Sequence, residues 1–177
     1  MKSIEAHIEV IRRIDPAVIT EATEAILGAL RAGGKVLICG NGGSAAESQH
    51  LAAELVGRFM TRRRPLPALA LTADGAVLTC IANDFGYEQV FARQVEALGQ
   101  QGDCLVAIST SGQSPNVIAA IEQAHRMGMS TIGLTGKAEM PCDYRIAMQS
   151  TDTARIQEAH ALVVHLMCEG IDAAHDE

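Results

Sequence analysis

Short apolar runs alternate along the chain with longer stretches in which apolar residues recur every three or four positions, a pattern that predicts strands interleaved with helices. Residues 4–30 read as helical; Pro16 after Asp15 suits the first turn of a second helix, and Gly33-Gly34 ends the region. Residues 35–39 form a buried strand, followed by the turn Gly40-Asn41-Gly42-Gly43-Ser44 and a helix over 45–58 rich in Ala, Glu and Leu. The plan then repeats. Residues 66–71 are a strand, 87–98 a helix and 103–108 a strand, which runs into Ser109-Thr110-Ser111-Gly112-Gln113-Ser114. Pro115 suits a first helical position with Ser114 as N-cap, and that helix continues to about 127. Strands follow at 131–134 and 144–148, and Thr151, Asp152 or Thr153 caps a last helix over 154–171. Such alternation gives an α/β fold in which a parallel sheet is covered by helices.

Composition narrows the class. A chain of 177 residues suits one domain. With its 16 glycines added to a hydrophobic content of 48% and its two tyrosines removed, the apolar share lies above the ~45–50% usual for soluble domains, so subunit contacts and an oligomer are expected. No apolar run approaches the ~20 residues of a membrane span. The start, Met1-Lys2-Ser3-Ile4-Glu5, breaks into charges too early for a signal peptide, so the expected location is the cytoplasm. Five cysteines (Cys39, Cys80, Cys104, Cys142, Cys168) are an odd number with no CxxC pair, which argues against a disulfide framework or a structural zinc cluster. A net charge of −7 and 3% aromatics speak against nucleic acid as a ligand, and Arg62-Arg63-Arg64 reads as a solvated loop.

Two polar turns carry the candidate chemistry. Each joins the carboxyl end of a strand to the amino end of a helix, where open α/β sheets bind ligands and where free N–H groups and the helix dipole favour an anion. Four hydroxyls line 109–114, and Gly112 lets the backbone approach a bound group. With neither GxxxxGK[ST] nor GxGxxG present, a phosphomonoester fits better than a nucleotide. The plainer reading is that these Ser and Gly residues only cap helices. Asn41 and Ser44 in the first turn would hold a polyol or a second part of the same ligand.

On the helix after the first turn, His50 and Glu54 are four apart and share a face. On the last helix Gln157 and His165 are eight apart, with backbones ~12 Å from each other that long side chains can bridge. If the two helices meet, these side chains can bind zinc or act as an acid–base pair. His160 competes for either role by position, whereas His7, His125 and His175 have no such company.

Four segments, CGNGGSAAESQHLAAEL at 39–55, IANDFGYE at 81–88, AISTSGQSPNVI at 107–118 and RIQEAHALVVH at 155–165, resemble the sugar isomerase (SIS) domain family. HxxxE together with QxxxxxxxH is similar to its branch of aldose–ketose isomerases acting on seven-carbon sugar phosphates. The resemblance implies a three-layer flavodoxin-like α/β sandwich with a parallel sheet over 1–177, whose helical segment at about 1–31 serves oligomerisation in a homotetramer with active sites at subunit contacts. It implies conversion of sedoheptulose 7-phosphate to the corresponding aldose through a cis-enediol, in heptose biosynthesis such as that of ADP-heptose for the lipopolysaccharide core. Substrate contacts are implied for Asn41, Gly42, Gly43, Ser44, Asn83, Asp84, Ser109, Thr110, Ser111, Ser114 and Gln157. A zinc ion is implied on His50, Glu54, Gln157 and His165, with Glu54 and His165 also as the catalytic acid–base pair. The segment 136–153 is shorter than the family pattern and lacks its Gly-rich loop, and Ala154 stands where some relatives carry an acid. The rival reading is a SIS module that binds a sugar phosphate or a protein such as the DnaA replication initiator without chemistry; Glu54 and His165 argue for catalysis.

Overall fold

The computed structural model describes residues 2–174, so the expectation for His175 lies outside the described residues. Two helices come first, α1 (Lys2–Ile11) and α2 (Pro16–Arg31); Asp15 caps the second, its Oδ1 accepting the N–H of Ala17. There follow β1 (Val36–Gly40), α3 (Gly43–Val56), β2 (Ala68–Ala70), α4 (Gly75–Phe85), a 3₁₀ turn at Tyr87–Gln89 and α5 (Ala92–Leu98). The second half runs β3 (Cys104–Ser109), α6 (Pro115–Arg126), β4 (Ser130–Thr135), β5 (Tyr144–Ala147) and α7 (Thr153–Ala173).

The five strands are all parallel, in the order β2-β1-β3-β4-β5. Residue alternation divides the core into two layers. Val36, Ile38, Val106, Ile108 and Leu134 pack under α2, α3 and α7, while Leu37, Cys39, Leu105 and Ala107 pack under α5 and α6. This is the expected three-layer α/β sandwich.

One helix was not expected, and two local expectations need correction. Residues 75–85 form α4, capped by Asp74, with Ile81 buried and Leu78 and Ala82 packed beside it. The helix expected over 87–98 is broken into the 3₁₀ turn and α5. Arg63 is not a solvated loop residue, since its side chain is only 2% exposed and is paired with Asp172.

Candidate active site

Strand order places the two polar turns side by side. Gly40 pairs with Ile108, so Asn41 and Ser109 leave neighbouring strands together. The chain after β1 turns into α3 on one face of the sheet and the chain after β3 into α6 on the other, which opens the crevice that such sheets use for ligands. The turns are also joined directly. Asn41 and Asn116 exchange two amide hydrogen bonds of 2.8 Å each, and the Tyr87 hydroxyl donates to Asn41 Oδ1 at 3.0 Å. Asn116 and Tyr87 were not singled out from sequence.

In the second turn three hydroxyls converge: Ser109 Oγ lies 3.3 Å from Ser111 Oγ and 3.0 Å from Ser114 Oγ. Ser114 occupies the N-cap position of α6, yet its side chain makes no cap bond and turns to Ser109 instead. That arrangement favours a ligand cradle over simple capping. Gly112 sits at φ +67°, and a Cβ there would approach the carbonyl oxygens of Glu139 and Ala138 to 3.0 and 3.1 Å. Beside this turn is a cavity of about 200 Å³ lined by Thr110, Ser111, Lys137, Ser150, Thr151 and Thr153. Lys137 supplies a cation that the loop itself lacks, from a segment whose role could not be read along the chain.

At the first turn, Gly42 takes φ +57° and begins α3 without a side-chain cap. Ser44 is turned inward against Gly40 and is only 4% exposed. Gly43 lies under the amide of Gln157, whose Nε2 would meet a Cβ at 2.5 Å. Asn83 and Asp84 are exposed at the end of α4, where Asn83 Nδ2 donates to Asp84 Oδ1 at 2.7 Å.

The histidine and glutamate side chains meet because α3 and α7 pack together on one face of the sheet. His50 Nε2 lies 3.1 Å from Glu54 Oε1 and 3.3 Å from His165 Nε2, and the two rings stand edge to face. Ligand atoms of His50, Glu54 and His165 all lie within 4.8 Å of one another. Two imidazole nitrogens aimed at one point together with a carboxylate oxygen form a donor set that suits zinc. Behind them Glu47 Oε1 is 3.3 Å from His50 Nδ1, within ion-pair distance of a protonated ring but not hydrogen-bonded to it, a contact that escaped the sequence reading. The Phe59 ring lies against His165, with centroids 5.2 Å apart.

His160 is not part of this group. It is 1% exposed, its Nε2 lies 3.3 Å from the Thr135 carbonyl, and burial pushes its pKa down to about 4 against the weaker upward pull of that bond. Cys168 is no nucleophile either, because burial first and the nearby Glu54 and Asp172 carboxylates second push its thiol up to about 12.

Comparison with known proteins agrees with this geometry. The family described as "SIS domain" matches residues 1–136. Phosphoheptose isomerase of Campylobacter concisus is 53% identical over 157 residues, 86% of this chain and 83% of that protein. The phosphoheptose isomerase of Maridesulfovibrio salexigens is 56% identical over 158 residues, covering 87% and 77%. The solved structure of phosphoheptose isomerase from Neisseria gonorrhoeae superposes with a TM-score of 0.86 at 45% identity, covering 97% of this chain and 94% of that one. The chain belongs to the SIS domain family, the class of α/β sandwich that its sheet order and paired turns define. Within that family it groups with the phosphoheptose isomerases.

Proposed function

We propose that this chain is an aldose–ketose isomerase that interconverts sedoheptulose 7-phosphate and D-glycero-D-manno-heptose 7-phosphate in heptose biosynthesis. The observation that carries the reading is the convergence of Glu54 and His165 from two helices, beside a turn whose hydroxyls are gathered away from capping. Ser109, Thr110, Ser111 and Ser114 hold the phosphate at the amino end of α6, and Lys137 adds charge at its rim. Asn41, Gly42, Gly43, Asn83, Asp84 and Gln157 hold the polyol, with Ser44 supporting the turn from beneath. Anchoring the remote phosphate positions the C1–C2 end, so that binding energy is used where bonds change.

Glu54 takes the proton from one carbon and returns it to its neighbour through a cis-enediol, while His165 moves the proton between the two oxygens. His50, Glu54, Gln157 and His165 would hold a single zinc ion per subunit, which when bound polarises the carbonyl oxygen as a Lewis acid. The assembly is a homotetramer with active sites at subunit contacts and no nucleic-acid or membrane partner; the chain forms one domain whose helices α1 and α2 serve the interface. In support, Ile4 and Ile8 on α1 are 64% and 41% exposed. No helix of the described residues is long and apolar enough to cross a membrane. A cytoplasmic location suits a chain whose five cysteines are all free thiols.

Glu54→Gln keeps the shape of the side chain and removes the base. Turnover of sedoheptulose 7-phosphate, followed as aldose formation, is expected to fall roughly 10³-fold, with the affinity for the sugar phosphate measured by calorimetry little changed. Activity like that of the parent protein overturns the assignment.

A further inference from the structure

The chain leaving α3 doubles back over the end of that helix, and a buried ion pair sets its course. The side chains of Arg63 and Asp172 are 2% and 5% exposed. Arg63 Nε donates to Asp172 Oδ1 at 2.8 Å, Nη1 to the Leu55 carbonyl at 2.9 Å and Nη2 to the Glu54 carbonyl at 2.7 Å. The second carboxylate oxygen, Oδ2, accepts the backbone N–H groups of Met60 at 2.9 Å and Thr61 at 3.0 Å. Two carbonyls in the last turn of α3, which have no partner within the helix, therefore face a guanidinium, and its charge meets the negative end of the helix dipole. Only a planar fork with donors in several fixed directions makes these contacts together; an ammonium group cannot.

Three of the clamp's connections lead to the reacting groups. It grips the backbone of Glu54 itself. Asp172 stands seven residues beyond His165, two turns along the same face of α7. The loop held by Asp172 carries Phe59 onto the His165 ring. Buried ion pairs contribute little net stability compared with apolar replacements, so geometry is the stronger account of this one.

We propose that Arg63 and Asp172 are positioning residues for the isomerisation: their ion pair ties α3 to α7 and holds the Glu54 carboxylate and the His165 imidazole at a constant separation. The proposal rests on Glu54 and His165 being the acid–base pair.

Three variants of the full chain test it: Arg63→Lys, Asp172→Asn and Glu54→Gln, assayed with sedoheptulose 7-phosphate well below the unfolding temperature of each. Arg63→Lys and Asp172→Asn are expected to lower kcat about 10- to 100-fold per folded enzyme, while KM moves less than about threefold, because the phosphate turn is built on other elements. Circular dichroism supplies the folded fraction, and Asp172→Asn decides the matter if Arg63→Lys does not fold. Values of kcat within about twofold of the parent, beside an inactive Glu54→Gln, overturn the clamp alone. A loss that disappears once rates are expressed per folded enzyme overturns it as well. An active Glu54→Gln overturns the reading of the site beneath it.

Discussion

His160 and His165 stand five residues apart on α7 and end in unlike surroundings. By spacing alone they compete for one role; only the packing of α7 turns His165 to His50, within reach of Glu54, and buries His160 against Thr135. That burial has a measurable consequence. An exposed histidine titrates near 6.5, and the folded His160 near 4. Between those values the unfolded chain binds a proton that the native chain refuses. The stability His160 leaves intact above pH 6.5 is therefore lost as pH falls toward 4, by about 3 kcal/mol in all. His160→Gln keeps a donor for the Thr135 carbonyl and is expected to flatten this part of the curve, as denaturant unfolding at pH 7, 5.5 and 4.5 will show; an unchanged slope refutes it. Asp172 acts in a separate, lower window. Burial raises its pKa, but the N–H groups of Thr61 and Met60 and the Arg63 guanidinium outweigh this and hold the carboxyl below its usual 3.8, so its contribution is lost only in stronger acid.

Among the elements, the two strand-to-helix turns were legible because glycine, serine and proline mark them locally. What a hydroxyl does there was not legible. Ser114 fits an N-cap on sequence, yet its Oγ bonds Ser109. Ser114→Ala is thus expected to change stability by less than about 0.5 kcal/mol, half or less of the usual loss for a cap. The same change should raise KM for the sugar phosphate about tenfold, since a hydrogen bond to a charged group is lost. A fall in melting temperature with unchanged KM reverses the interpretation. Gly40 shows the opposite sensitivity. A Cβ at Gly40 would lie 2.8 Å from the Ser44 carbonyl oxygen and 2.9 Å from that of Ile108, both backbone atoms that cannot step aside. Gly40→Ala is expected to cost about 1–3 kcal/mol in chemical denaturation. Helix α4 carries an N-cap at Asp74 and an apolar stripe at Val77, Ile81 and Phe85, so it is legible locally, although Val77 and Phe85 stay exposed in the fold.

For the whole molecule, the apolar excess in the composition has an address. Besides Ile4 and Ile8, a groove of about 490 Å³ is lined by Leu69, Val77, Ile81, Phe85 and Leu98. If the proposed homotetramer forms through α1, replacing Ile4 and Ile8 together by aspartate is expected to give smaller species in light scattering and lower activity with them; an unchanged mass excludes α1 from that interface. The alternation of strands and helices, the two polar turns and the shared face of His50 and Glu54 follow from the sequence by itself, because each depends on residues a few positions apart, where backbone geometry leaves few choices. Contacts between distant segments do not follow from it. His50 and His165 are separated by 115 residues, and Arg63 and Asp172 by 109. Whether such pairs meet depends on strand order and on which face of the sheet each helix covers. Tertiary packing alone therefore brought His165 to Glu54, drew Arg63 out of solvent and withdrew His160 from the site.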